Sequence, residues 1–173
     1  MTELRRTLAE DTWYPPHPPR KASALYDRTH HELVVVEDRP CAVCGVRNST
    51  LGNPAQNKVG AKALETHHAL IEWAGANAID WDKLAADHPD LTNLTALAGA
   101  YHAHLLANGS FGGTLDPAIV TQFVDSADQM LVICDLDHRG ARRGVHMITG
   151  PVWELQRYER GDWRFTDGGQ VTL

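Results

Sequence analysis

The chain of 173 residues carries 22 acidic and 16 basic side chains, a formal charge of -6, with 43% hydrophobic residues, 14 Gly and 9 Pro. That length suits one globular domain burying roughly 70% of its unfolded surface, and the acidic balance argues against a protein that coats nucleic acid by bulk charge. No apolar run approaches the roughly 18 residues of a membrane-spanning helix, and the charged start from Met1 to Asp11 has no apolar core. Three cysteines cannot all pair within the chain, so a cytoplasmic setting with metal-bound or buried thiols is expected.

Residues 1–22 read as an N-terminal arm. Its stretch from Trp13 to Arg20 contains four prolines, which remove backbone donors and favour an extended path across the domain. Leu25, Thr29, Leu33 and Val36 share one helical face, although Val34 to Val36 could equally open a strand. Between Cys41 and His68, Gly45, Gly52, Asn53-Pro54 and Gly60 suit a hairpin with a long irregular turn, its second strand running from about Lys62 to His67.

Ala69 to Ala86 is expected to be helical on the spacing of Leu70, Trp73, Ala74 and Leu84, and Leu91 to Asn108 repeats the pattern. Asp116-Pro117 supplies an N-cap and first-turn proline for a short helix, and Met130 to Cys134 is an apolar run of buried-strand length. Pro151 opens a last helix through Arg160, followed by a hairpin from Trp163 to Leu173 turning at Asp167-Gly168. Trp73, Trp81, Trp153 and Trp163 are read as packing residues rather than a base-stacking platform. The whole is a single α+β domain, with a helical insertion at 69–127 and a C-terminal helix and hairpin at 149–173.

Charge is distributed unevenly. Residues 69–128 hold eight acids and one base, whereas 139–164 hold six arginines against three acids, +3 within a remainder of -9. A polyanion such as nucleic acid is therefore expected to meet Arg139, Arg142, Arg143 and Arg157. The acidic helical insertion is the expected surface for a protein partner.

Two constellations carry chemistry. Cys41-Ala-Val-Cys44 places two thiolates on a tight turn, and Cys134 with Asp137 supplies two further donors for one tetrahedral zinc ion. A buried thiol pair or a redox pair are the alternatives, the latter disfavoured because the motif does not open a helix. The second constellation is Leu64-Glu-Thr-His67-His68, with Gln129 and His138 downstream. Adjacent strand residues point to opposite sides, so one imidazole can hold a metal while the other takes a proton from water. Two packed imidazoles satisfied by carbonyls are the bland alternative.

Together these motifs resemble the zinc-bound branch of the HNH endonuclease family, over about forty residues in two blocks, 41–68 and 128–148. Cys41-Ala-Val-Cys44 and Leu64-Glu-Thr-His67-His68 match the first block. Gln129-Met-Leu-Val-Ile-Cys134-Asp-Leu-Asp137-His138 matches the second in spacing. The resemblance implies a ββα-metal core and metal-dependent hydrolysis of nucleic acid, DNA favoured, in a prokaryotic or phage-infected cell. It implies that His67 and His138 hold Mg²⁺ or a similar divalent ion and that His68 is the general base, its ring oriented by a carbonyl. Gln129 stands where the family's middle asparagine ties the loop together, and His146 is a candidate further ligand or phosphate contact. Gln for Asn, Asp137 for a zinc cysteine, and the 60 residues between His68 and Gln129 depart from the family pattern. A catalytically silent zinc domain that binds protein or nucleic acid is the second functional expectation.

Overall fold

The computed structural model describes residues 13–91, 93–108, 115–140, 145–147, 158, 160, 162–164 and 169–170. Ser23 caps the first helix, α1 (Ala24–His31), its hydroxyl accepting from the Tyr26 N–H, and a wider π-helical turn over Glu32–Val36 continues it. The helical reading of this segment therefore holds, and it buries Leu33 and Val34.

Beyond it the expected hairpin is not formed. The only strand between Cys41 and His68 among the described residues is β1 (Leu64–His68), which pairs antiparallel with β2 (Met130–Cys134) in the register Leu64 opposite Cys134 and His68 opposite Met130. The cause lies in local competition for backbone groups. Cys41 donates its N–H to the Val46 carbonyl and Gly45 donates back to Cys41, closing the chain on itself with Gly45 at φ 78°. Farther on, the Asn57 side chain binds the Leu51 and Ala61 carbonyls and the Ala61 N–H, so its amide serves groups that a ladder would have used.

The segment after β1 also differs from one continuous helix. A 3₁₀ turn over Trp73–Ala78 gives way to α2 (Trp81–Asp87), which the Asp80 carboxylate caps by accepting from the Lys83 N–H. Gly75 and Asn77, both inside the 3₁₀ turn, weaken α-helix there. Next come α3 (Leu94–Asn108) and α4 (Pro117–Val124), the latter with Asp116 as N-cap and proline in its first turn as expected. After β2, α5 (Asp135–Arg139) starts at Cys134 and packs on both strands. The short strands β3 (Trp163–Arg164) and β4 (Gly169–Gln170) pair antiparallel, while the expected helix from Pro151 lies outside the described residues save for Tyr158 and Arg160.

Two apolar clusters result. One surrounds the small sheet with Leu33, Val34, Leu64, Val132 and Ile133, and the other unites the helices around Trp81, Leu84, Leu97 and Phe123. The Trp81 and Phe123 rings meet edge to face at 5.7 Å, so Trp81 is a packing residue; Trp163 is also buried, Trp73 is half-buried, and Trp153 lies outside the described residues. Gln129, fully buried, joins the two clusters. Its carbonyl accepts from Ala69 N–H, its side-chain oxygen from Leu70 N–H, and its amide donates to the Ile71 carbonyl. The arm crosses the helical cluster, with the Asn77 amide donating to Pro16, the Trp73 indole to Pro18 and the Trp163 indole to Trp13. No helix among the described residues is long and apolar enough to cross a membrane.

Candidate functional site

The β1–β2 pairing brings both blocks of motif residues together. Cys41, Cys44, Cys134 and Asp137 place one ligand atom each within 4.8 Å of one another. The Cys44 and Cys134 sulfurs are 3.7 Å apart, matching the ~3.8 Å edge expected for two sulfurs about 2.3 Å from one tetrahedral ion. Asp137 Oδ2 lies 3.3 Å from Cys41 Sγ and 3.2 Å from Cys134 Sγ. Backbone donors support the sulfurs: Cys134 N–H points to Cys41 Sγ and Asp137 N–H to Cys134 Sγ. Burial pushes the Cys134 thiol up to about 12 and raises Cys44 as well, so thiolates need a cation to offset desolvation. Three thiols and a carboxylate converging in the core fit a metal ion, and none of the three cysteines is in a disulfide.

His138, the residue of α5 that follows Asp137, lines a cleft of about 360 Å³, where His67, His138 and His146 also bring ligand nitrogens within 4.8 Å of one another. Each arrives from a different element. His67 comes from β1, His138 from α5, and His146 from a 3₁₀ turn over Val145–Met147. Gly140 ends α5 where a Cβ would stand 2.3 Å from the Leu136 carbonyl oxygen. His138 Nδ1 is 2.5 Å from Glu65 Oε2, which leaves Nε2 facing His146 Nε2 at 2.9 Å. A carboxylate on the far nitrogen is the usual second partner of a metal-bound imidazole, and it fixes the tautomer that exposes a lone pair. Burial lowers the His67 pKa to about 4 and also lowers that of His146, keeping both rings in the neutral form that ligates. This donor set fits a divalent ion.

His68 lines the same cleft but meets none of those three nitrogens. Its Nδ1 lies 3.1 Å from Glu72 Oε2 and 3.3 Å from Arg20 Nη1, and its solvent-inaccessible Nε2 lies 3.5 Å from Asp125 Oδ1. Burial acts to lower the His68 pKa, but bonding to Asp125 and Glu72 outweighs it and holds the value above the ordinary one. A carboxylate, not the expected carbonyl, thus faces the inner nitrogen. Asp125 is itself fixed by Ser23 Oγ at 2.6 Å and by Arg20 Nη2 at 2.8 Å. Glu72 also approaches His67 Nε2 at 3.4 Å.

Arg20, Glu72 and Asp125 lie outside the motifs, and Glu65 stands inside one with no role assigned to it. Glu72 stands four residues after His68, the one local signal that could have marked it; Arg20 and Asp125 come from distant elements. Of the four arginines expected to meet nucleic acid, Arg139 is ion-paired to Glu65, while Arg142, Arg143 and Arg157 lie outside the described residues. No protein-family model, curated protein or solved structure matches this chain.

The Asp125 carboxyl gives an acid-stability prediction. Burial would raise its pKa, yet the bonds from His68 and Ser23 and the charge of Arg20 hold it below the ordinary value. A depressed carboxyl stabilises the fold above its unfolded pKa of about 3.9, and that contribution disappears as pH falls through the folded value. Asp125→Asn is therefore expected to lower stability at neutral pH by about 1–3 kcal/mol. In thermal melts the gap to wild type should close below about pH 4; an equal gap at every pH would show that the charge contributes nothing.

Proposed function

We propose that this chain is a metal-dependent nuclease of the HNH type, hydrolysing phosphodiester bonds in nucleic acid, DNA favoured, on a ββα-metal core stapled by zinc. One observation carries the reading: the adjacent imidazoles of β1 share a cleft but divide their partners, His67 joining His138 and His146 while His68 rests on Asp125. The order of β1, β2 and α5, with α5 directly after β2 and packed on both strands, is compatible with such a core.

A divalent ion on the three imidazoles would polarise the scissile phosphate and stabilise the leaving oxygen. Imidazole donors suit Mn²⁺ or Zn²⁺ better than Mg²⁺, which prefers carboxylate and water ligands, so the choice of ion shifts accordingly. His68 acts at Nδ1. With its other proton directed from Nε2 to Asp125, the neutral ring offers Nδ1 to the cleft, where the Arg20 guanidinium faces it. Once Nδ1 has taken the proton from water, Glu72 Oε2 is in place to accept a hydrogen bond from it. Arg20, stacked 5.2 Å over the Tyr26 ring and tied to Asp125, directs a fixed positive group at an incoming phosphate. Gln129 positions the loop that carries Glu72.

The second reading, a silent zinc domain that binds a protein or nucleic acid, is favoured by one feature: His68 Nδ1 is already engaged by both Glu72 and Arg20. Plasmid cleavage decides between them. The nuclease should nick or degrade plasmid DNA with Mn²⁺, Zn²⁺ or Mg²⁺ and stop on addition of EDTA. Folded, zinc-loaded protein that cuts neither DNA nor RNA with any of these ions establishes the second reading.

A further inference from the structure

A second and larger cavity, about 550 Å³, lies beside the arm, α1 and α4, within the size range of small-ligand sites. Pro18, Pro19, Pro117 and Trp73 give it apolar walls, and the Trp73 indole is held by its N–H bond to the Pro18 carbonyl. Lys21 and Arg28 line it too, and among the described residues no Asp or Glu does. In a chain of charge -6 this concentration of cations stands out, because neither Lys21 nor Arg28 forms an ion pair among the described residues. The cavity therefore complements a ligand with a flat apolar body and a negative group.

Its position narrows the ligand. The segment at the start of α1 forms the wall between this cavity and the histidine cleft: Ala22 and Tyr26 line the cleft, while Lys21, Leu25 and Arg28 line the cavity. Within α1, Leu25 and Arg28, three positions apart, share one helix face, and Tyr26 stands on another. A strand with one phosphate at the histidines would continue around this wall.

We propose that the cavity is a nucleotide subsite for an unpaired residue of a single strand, its base stacked among Trp73 and the prolines and its phosphate held by Lys21 and Arg28. Thr121 and Gln122 of α4 also line the site and offer polar groups to the base edge. Stacking on an aromatic ring tolerates any base, so the site adds affinity for single-stranded or frayed substrate rather than sequence choice. The identity of the ligand rests on the nuclease reading above; the charge and shape of the cavity do not.

The test reads binding without cleavage. Full-length His67→Ala protein, labelled with ¹⁵N and loaded with zinc, is titrated with a short single-stranded oligodeoxynucleotide, and the Trp73 indole resonance, assigned by its loss in Trp73→Phe, is followed. The oligonucleotide should shift that resonance. Trp73→Leu should weaken binding about tenfold. Lys21→Glu/Arg28→Glu, both exposed positions, should abolish the shift and lower the salt slope by about 0.7 for each phosphate left without its cation. The proposal is overturned if the oligonucleotide leaves the resonance unmoved, if the charge-reversed protein responds like its parent, or if inorganic phosphate or a Glu-rich peptide binds as tightly. Plasmid cleavage by wild type without a Trp73 response removes the subsite and spares the nuclease. A Trp73 response in a protein whose wild type cuts nothing keeps the nucleotide site and removes the nuclease.

Discussion

Cys41→Ser is expected to leave the protein unable to fold. Cys41 is 2% exposed, its sulfur accepts the Cys134 N–H, and it converges with Cys44, Cys134 and Asp137 across the two halves of the sheet region. Structural zinc in small domains contributes an apparent ~10–16 kcal/mol, as much as the ~5–15 kcal/mol net stability of a typical protein. Losing one thiolate should therefore shift the chain to insoluble or unfolded material, whereas Val43→Ser, at a position between the two cysteines that is 69% exposed, should have little effect. Elemental analysis should find one zinc per chain in wild type. Purified wild type without zinc, or Cys41→Ser with a native melting temperature, would refute the site.

His68→Ala should leave metal affinity nearly intact and lower the cleavage rate by roughly 10²–10⁴-fold, the usual contribution of a positioned base. His67→Ala should instead weaken the ion and move activity to higher metal concentration, since His67 belongs to the three-nitrogen set and His68 does not. Both variants should fold, because the cysteine site uses other residues. Measuring rate against metal concentration separates the two roles. The reverse pattern would exchange the assignments; undiminished activity in both would end the catalytic reading of the pair.

Where short-range chemistry dictated structure, the residues were readable in advance. The apolar run Met130 to Cys134 is β2, Asp116-Pro117 opens α4, and both donor clusters assemble from the motif residues. What escaped was decided by distant partners. The motif before β1 looks like a hairpin because its glycines and asparagines are turn formers, yet β1 finds its partner beyond three helices. Arg20 and Asp125, 105 positions apart, have no local pattern that announces their pairing around His68. The break between the 3₁₀ turn at Trp73–Ala78 and α2 was hidden because apolar spacing alone does not register the cap at Asp80.

The register that joins Leu64 to Cys134 also sets a birth order for the molecule. During synthesis the ribosome releases Cys41, Cys44 and His67 long before their counterparts, and a nascent chain that ends before residue 137 lacks a complete set of sulfur and carboxylate donors. The histidine set waits longer still, until residue 146. Closing so long a loop carries an entropic cost that grows only slowly with its length, and contacts made among α2, α3 and α4 shorten the effective span. The helical segment is therefore both the divider of the motif and the clasp that brings its halves within reach, and chains terminated before residue 137 carry neither cluster.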